Sequence, residues 1–192
     1  MTSRTHDLAA ITTLTGFIAI QPLFSVSLGT GIVALLANQL GGFVPDIDHH
    51  TSLFWEQIPA GSLIGKIIRP LLGKHRMLTH SLLGLFLISL GAKYLLGFLK
   101  TFLLVDISVV GWAFVLGMLS HLIMDSLTKD GVPWLFPLPV RFGFPPFEIL
   151  RFTTDKLGEK LIVVPGLMLL NCWLIFSNYS KFIDFFKNYL IK

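Results

Sequence analysis

Histidine and aspartate residues lie close together at three points of a sequence that is otherwise rich in apolar residues. Five of the six histidines fall in the segments PDIDHH, HRMLTH and HLIMD, at residues 45–50, 75–80 and 121–125. An aspartate at the centre of a membrane helix costs about 2.5–3.5 kcal/mol, so such residues persist where something compensates their charge. Mixed imidazole and carboxylate ligands suit zinc, and also manganese or ferrous iron. The three segments therefore predict a site for a divalent metal ion.

The spacing of residues within these segments fits metal binding. His121 and Asp125 are four residues apart, so on a helix that turns about 100° per residue their side chains lie about 40° apart on one face. Pro45 prevents a helix from continuing, and the residues after it can surround an ion from irregular backbone. The set is large enough for two ions, or for one ion with outer partners. The candidate ligands are His6, Asp46, Asp48, His49, His75, His80, His121 and Asp125.

The second segment contributes a basic residue as well as histidines. His75 and His80 would diverge by about 140° on one helix, which places His75 in the loop before the third helix. Arg76 and His80 have the i, i+4 spacing that puts both on one face of that helix. Arg76 has two interpretations: it anchors the chain to lipid headgroups, or its planar fork binds a substrate phosphate.

The composition is that of an integral membrane protein. Of the 192 residues, 53% are hydrophobic and 14% are charged, whereas soluble domains have about 25% charged residues. Apolar stretches at residues 8–26, 28–44, 78–99, 103–126 and 161–177 approach the roughly 20 residues that cross a bilayer. We expect one domain, residues 1–192, with an all-α fold: a polytopic membrane helix bundle of about five transmembrane segments, or four.

This arrangement places the candidate ligands on one side of the membrane. His6 precedes the first helix, segment 45–50 follows the second, segment 75–80 begins the third, and segment 121–125 ends the fourth. A helix bundle builds metal sites from side chains that converge in this way. The same side carries ten of the fifteen Lys and Arg residues. The positive-inside rule then predicts an inner (cytoplasmic) membrane protein whose metal site faces the cytoplasm.

The segments between the apolar stretches predict surface structure. Residues 62–72 have apolar residues at helical spacing and fit a helix lying flat on the bilayer, as do the C-terminal residues 181–192. Residues 131–146 hold five of the ten prolines, which excludes both a helix and a central strand. Asp106 is expected to cap a helix. The basic residues are scattered and form no platform for nucleic acid, so we expect the bilayer and a lipid or lipid-linked substrate as partners. The sequence does not determine the oligomeric state.

The motifs also resemble a known family. RTHD at 4–7, PDIDH at 45–49, HRMLTHS at 75–81 and LGMLSHLIMDSLTKDGVPWLFP at 116–137 resemble, in this order, the YdjM family of bacterial inner-membrane proteins, described as membrane-bound metal-dependent hydrolases. The resemblance extends to about residue 144. It implies metal ligands or catalytic groups at Asp46, Asp48, His49, His75, His80, His121 and Asp125. It implies supporting positions at Arg76, Thr79, Thr128 and Gly131.

More distantly, the pattern is similar to the all-α superfamily of zinc-dependent phospholipase C and single-strand-specific fungal nucleases. His121 and Asp125 resemble its helix-borne His/Asp pair, whose Asp bridges two zinc ions, and an aspartate in segment 45–50 resembles its loop aspartate. Its second helical ligand pair has no equivalent in the five-residue spacing of His75 and His80. That superfamily also uses the amino group of a mature N-terminal residue as a ligand, whereas here Met1 precedes His6. These two departures argue against a cluster of three ions.

These observations predict a membrane-bound metal-dependent hydrolase that cleaves a phosphoester of a lipid or lipid-linked substrate with metal-activated water. Asp46 or Asp48 would orient or deprotonate that water, and Arg76 would stabilise the charge on phosphorus. The alternative is a noncatalytic membrane scaffold with a coordinatively closed metal site. A divalent-cation transporter would need ionisable groups along a whole pathway, and the far halves of the predicted helices contain almost none.

Overall fold

The structure, a computed structural model, describes residues 1–20, 26–49, 52, 55, 59, 61–72 and 76–190. Within these residues the chain forms seven α-helices and no strand, and only two isolated β-bridges occur, so the predicted all-α fold is confirmed. The helices are α1 Ser3–Ile20, α2 Leu28–Phe43, α3 Gly61–Leu72, α4 Leu82–Leu99, α5 Ile107–Ser126, α6 Val164–Ser177 and α7 Tyr179–Leu190. A 3₁₀ turn, Val44–Asp48, follows α2, and a π-helical turn, Glu159–Val163, precedes α6.

Four helical stretches of the described residues are long and apolar enough to cross a bilayer. They are Leu28–Asp48, Leu82–Leu99, Ile107–Ser126 and Glu159–Ser177. The stretch predicted at 8–26 is not among them, because the 18 described residues of α1 also include the polar residues Arg4, His6 and Asp7. Residues 21–25, which would complete that stretch, lie outside the described part of the chain. Helix α1 nevertheless packs against α2, α5 and α6, so it belongs to the bundle.

The closest helix packing in the bundle joins α2 to α5. A Cβ atom at Gly41 would collide with the carbonyl oxygen of Phe114, and one at Gly117 would collide with the carbonyl oxygen of Asn38. The amide of Asn38 also donates a 3.0 Å hydrogen bond to the carbonyl oxygen of Ala113. Small residues let membrane helices approach until their backbones touch, and an interhelical hydrogen bond then stabilises the pair. The ends of α2 and α5 that carry the candidate ligands are thereby held side by side.

Two helices begin later than their apolar stretches predicted. The hydroxyl of Ser81 accepts the N–H of Gly84 at 3.0 Å, so α4 begins at Leu82 rather than at residue 78. Asp106 accepts the N–H of Ser108 at 2.8 Å, so α5 begins at Ile107 rather than at residue 103. An N-cap residue sets the start of a helix because its side chain accepts a hydrogen bond from a free N–H of the first turn. The expectation that Asp106 caps a helix is confirmed.

Two of the segments outside the apolar helices have the predicted secondary structure. Residues 61–72 form α3, with Leu63, Ile64 and Ile67 exposed. Residues 131–146 contain neither a helix nor a sheet, and Val132 and Phe142 are paired there by an isolated bridge. This loop folds against the same end of α5 that carries His121, because the N–H of Phe144 bonds to the carbonyl of Ser126 at 2.8 Å.

Candidate metal centre

The structure brings histidines and aspartates from four separate segments together at one end of the bundle. The first turns of α1, the 3₁₀ turn after α2, the turn before α4 and the last turns of α5 each contribute. Because α2 and α5 both run toward this end and their backbones touch, their ligands meet without a long loop. Two groups could hold a metal ion among the described residues: His6 with His121 and Asp125, and Asp46 with His80 and His121.

Four ligand atoms of this centre are spaced as neighbours around one point. Asp46 Oδ1 lies 3.6 Å from Nε2 of both His80 and His121. Asp125 Oδ2 lies 3.7 Å from the same two nitrogens. Ligand bonds of about 2.0–2.2 Å in a tetrahedral zinc site separate the ligand atoms by about 3.3–3.6 Å. The nitrogen and oxygen atoms present therefore fit a divalent ion in both chemistry and spacing.

The orientation of the His121 ring identifies the nitrogen that faces the centre. Nδ1 lies 2.7 Å from the carbonyl oxygen of Gly42, and since a carbonyl only accepts, Nδ1 carries the hydrogen. Nε2 is therefore the basic nitrogen of the neutral ring, and it is buried without a hydrogen-bond partner among the described residues. A buried polar atom without a partner is costly. Fixing one imidazole nitrogen so that the other can bind metal is the usual arrangement around a metal-bound histidine.

The ring of His6 stacks directly on the ring of His121. The ring centroids are 3.7 Å apart and the planes differ by 9°. His6 Nε2 lies 3.3 Å from Asp125 Oδ1, which also accepts the amino group of Met1 at 2.5 Å. The two oxygens of Asp125 thus face different groups: Oδ1 faces His6, and Oδ2 faces His80 and His121. A carboxylate placed in this way can be shared by two ions.

Asp48 and Asp46 lie on opposite sides of the His80 ring. Asp46 Oδ1 is 3.6 Å from Nε2, whereas Asp48 Oδ2 is 3.6 Å from Nδ1. Asp48 is buried, and the same oxygen accepts the hydroxyl of Thr79 at 2.8 Å and the N–H of Arg76 at 2.9 Å. Asp46 is the more open carboxylate, with 30% of its side chain exposed. The geometry therefore places Asp46 at the centre and Asp48 behind His80.

The pKa of His80 reflects this position between two carboxylates, in the turn before α4. Burial lowers the pKa of the imidazole, but hydrogen bonds and charge interactions with Asp46 and Asp48 outweigh burial and raise the pKa to about 9. At neutral pH the ring holds a second proton unless a cation replaces it. Metal binding at this histidine must therefore release a proton.

Arg76 borders the centre from a strained backbone position. Its φ angle is 57°, in the left-handed region, which costs a residue other than glycine about 1–2 kcal/mol. Its guanidinium lies 2.9 Å from Asp125 Oδ2, 3.0 Å from Asp130 Oδ2 and 3.4 Å from the hydroxyl of Thr128. Arg76 therefore lies in a turn before α4, and not on the helix face predicted from its spacing to His80. It nevertheless contacts the centre.

The remaining predicted positions lie around the centre or outside the described residues. His49 is exposed and belongs to neither ligand group, and His75 is outside the described part of the chain. Thr128 donates to the carbonyl oxygen of Asp125 at 2.7 Å and so closes the end of α5. Gly131 has a φ of 63°, and a side chain there would press on the carbonyl of Phe142. Thr79, Thr128 and Gly131 thus support the backbone of the centre.

The sequence reasoning missed Glu159, which is buried beside the centre. Its carboxylate accepts the N–H of Thr2 at 2.7 Å and the hydroxyl of Thr5 at 2.5 Å. These bonds tie the π-helical turn before α6 to the start of α1 and so fix the turn that carries His6. Its position just before the apolar stretch at 161–177 could have indicated a functional or structural role, because acidic residues are rare in such places. Asp130 was missed as well, although it follows the ligand pair of α5 by only five residues.

The fold and the centre define a polytopic membrane protein with a histidine and aspartate cluster at one end of its helix bundle. The chain belongs to the family of the YdjM inner membrane protein, whose model matches residues 1–183. It is 28% identical to the protein YvsG of Bacillus subtilis over 176 residues, which cover 90% of this chain and 93% of YvsG. It is 38% identical to the inner membrane protein YdjM of Escherichia coli over 102 residues, about half of each chain. No solved structure matches.

Proposed function

We propose that this protein is a membrane-bound metal-dependent hydrolase that cleaves a phosphoester of a lipid or lipid-linked substrate. The observation that carries the proposal is the buried Nε2 of His121, which has no hydrogen-bond partner among the described residues and lies 3.6–3.7 Å from carboxylate oxygens of Asp46 and Asp125. A divalent ion bound there would supply Lewis-acid chemistry, because it would lower the pKa of water to about 7 and polarise a phosphoryl oxygen. Zinc suits these ligands best, and manganese or iron also fit.

The residues of the centre divide into ligands and partners of the substrate. Asp46, His80 and His121 would hold one ion, and His6, His121 and Asp125 form the other ligand group. Asp125 Oδ2 lies 3.7 Å from Nε2 of both His80 and His121, so it borders the first group as well. Asp46 is the more exposed carboxylate, with 30% of its side chain exposed, so its second oxygen would be free to accept a proton from water while the first binds the ion. Arg76 presents its fork beside Asp125, where it would bind the phosphate oxygens in pairs.

We also propose that the centre faces the cytoplasm. The described structure puts the starts of α1, α4 and α6 and the ends of α2 and α5 at the same end of the bundle. The segments that connect these helices, 45–77 and 128–160, begin and end there, and their sequences contain most of the ten Lys and Arg residues assigned to this side. The positive-inside rule then favours the cytoplasmic side. A phosphoester at the surface of the inner leaflet would be within reach of the centre.

A noncatalytic scaffold is the second candidate, and one observation favours it. The two ligand groups together draw on four segments, so ions bound in them would fasten α1, α2, α4 and α5 together. A structural site of this kind is closed by protein ligands, whereas a catalytic site keeps a position open. The 30% exposure of the Asp46 side chain supports the open site.

A cation transporter has less support. Among the described residues, every buried ionisable side chain lies at the end of the bundle that holds the centre. The polar side chains buried elsewhere are neutral threonines and asparagines, such as Thr12, Thr30 and Asn171. Transport would require ion ligands farther along the path through the membrane. The buried ionisable residues are His6, Asp48, His80, His121, Asp125 and Glu159.

The test combines metal content with turnover. Purified protein in detergent is loaded with zinc or manganese, and metal per chain is counted for wild type and for His121→Ala. We expect His121→Ala to lose most of the bound metal, while the exposed control His49→Ala keeps it. Unchanged metal in His121→Ala would contradict the metal centre.

The same preparations are then given short-chain phospholipids, lipid pyrophosphates and an aryl phosphodiester. Wild type and His49→Ala should hydrolyse at least one of these only when metal is present, and His121→Ala should be inactive. If wild type binds metal but hydrolyses none of them, the scaffold becomes the better account.

A further inference from the structure

The loop after α5 exposes a set of apolar side chains next to the metal centre. Leu138 is 56% exposed and Val140 is 50% exposed, although monomeric proteins rarely leave such residues together in water. We define the loop surface as Leu135, Leu138, Val140, Phe142 and Phe144, all of which are exposed. Arg141 lies between two of these residues and is itself exposed. An arginine within an apolar surface suits a molecule that has both an apolar tail and an anionic group.

The shape of this loop is fixed by hydrogen bonds. Val132 and Phe142 exchange two backbone hydrogen bonds of 2.8 and 2.9 Å. Arg151 donates to the carbonyl oxygens of Pro145 and Pro146 at 2.8 and 2.9 Å. The exposed side chains therefore stand on a preformed backbone, and a ligand would bind them with little loss of chain entropy.

Arg141 is connected to the centre through two residues, Asp130 and Arg76. Its guanidinium donates to the carbonyl oxygen of Asp130 at 3.3 Å, and the carboxylate of Asp130 binds Arg76 at 3.0 Å. Arg76 in turn contacts Asp125 of the centre. Arg141 forms no ion pair with any described residue, so its charge is available to an anion outside the protein.

We propose that the loop surface and Arg141 bind the substrate lipid, with Arg141 holding an anionic headgroup and the loop surface holding the start of its acyl chains. This inference rests on the proposed function and identifies its substrate class as an anionic phospholipid of the leaflet on the same side. The loop surface is continuous with the lipid-facing side of α4, because the N–H of Leu82 bonds to the carbonyl oxygen of Trp134 at 3.0 Å and Leu82 is exposed. A lipid is therefore a better occupant than a soluble partner.

The test measures which lipids the purified, metal-loaded protein retains. Native mass spectrometry would compare dilauroyl phosphatidylglycerol with dilauroyl phosphatidylcholine, which have the same chains. We expect wild type to prefer the anionic lipid by roughly tenfold, which is the effect of one charge-assisted hydrogen bond. Arg141→Gln should remove the preference without changing metal content or the melting temperature. The control Lys129→Gln, an exposed cation of the same loop, should keep it.

The apolar part of the surface is tested separately. The double variant Leu138→Gln, Val140→Gln should weaken retention of both lipids to a similar degree. An Arg141→Gln variant that keeps the wild-type preference would overturn the proposal. A wild-type dimer that dissociates in the double variant, with lipid retention unchanged, would also overturn it and assign the surface to a second copy of the chain. Loss of lipid preference in Arg141→Gln without phosphoester turnover by wild type would support the lipid site and contradict the hydrolase.

Discussion

Asp48 holds the backbone of Arg76, whose N–H donates a 2.9 Å hydrogen bond to Asp48 Oδ2 although the two residues are 28 positions apart. The same oxygen accepts the hydroxyl of Thr79 at 2.8 Å, so one carboxylate organises the turn that leads to His80. The left-handed conformation of Arg76 is stabilised by this bond. Asp48 thus positions an arginine and a histidine of the centre together.

Asp48→Asn is expected to separate metal binding from turnover. The amide oxygen of Asn can still accept both hydrogen bonds, so the turn should form and at least one ion should bind. The lost charge behind His80 should lower phosphoester turnover about 10- to 100-fold, as for other outer partners of metal ligands. Metal per chain and turnover are measured on the same preparation. Turnover equal to wild type would show that the charge of Asp48 has no part in the reaction.

Arg76→Lys is expected to keep metal and lose turnover. Lysine preserves the charge beside Asp125 but not the planar fork that binds two phosphate oxygens at once. We expect turnover to fall about 10²- to 10³-fold, as for loss of other groups that stabilise charge in a transition state. The apparent KM should change less than kcat. A variant with wild-type kcat would assign Arg76 a structural role only.

The proton on His80 links metal binding to pH. Because the pKa of His80 is raised to about 9, zinc affinity should increase as the pH rises toward that value, by up to about tenfold per unit for one displaced proton. The folding stability of the metal-free protein should instead fall as the pH rises. The charged imidazole contributes stability in full below the unfolded pKa of about 6.5, and this contribution is lost as the pH rises through about 9. The melting temperature is measured with and without zinc across this pH range. A constant difference between the two would contradict both trends.

The membrane orientation can be tested with single cysteines at the two ends of the bundle. Thr154 is exposed in the loop on the side of the centre, and Thr101 is exposed between α4 and α5 on the other side. In a Cys172→Ser background, an impermeant thiol reagent applied to intact cells should label Thr101→Cys and leave Thr154→Cys unlabelled. The opposite labelling would place the centre outside the cytoplasm, and labelling of both sites would contradict the helix arrangement.

The contact between α2 and α5 predicts a large difference between two glycines. A Cβ at Gly117 would collide with the backbone of Asn38, whereas one at Gly91 would meet nothing within 4 Å. Gly117→Ala should therefore cost about 1–3 kcal/mol of stability and weaken zinc binding, because Asp46 and His121 would move apart. Gly91→Ala, the matched control on α4, should be neutral or gain up to about 1 kcal/mol. Unfolding in detergent and zinc content are measured for both, and equal results would rule out the close contact.

Much of the centre could be predicted from local rules. The i, i+4 spacing of His121 and Asp125 follows from helix geometry, and both side chains do face the centre. The different positions of Asp46 and Asp48 could not be predicted, because they depend on where the turn before α4 places the ring of His80. The left-handed backbone of Arg76 likewise depends on a hydrogen bond to a residue far away in the sequence. The late start of α4 could have been predicted, since a serine, which favours the N-cap position, directly precedes its first residue.

Because the backbones of α2 and α5 touch at two points, Asp46 and His121 are carried by one rigid pair of helices. His80 lies in the turn that leads into α4, a helix of which only 6% is buried. A membrane helix adapts to a thinner or thicker bilayer by tilting, and a loosely packed helix tilts most easily. We therefore expect the thickness of the surrounding bilayer to displace His80 before it displaces the other two residues. If the centre binds metal as proposed, acyl chain length in the host membrane would then determine how firmly the ion is held.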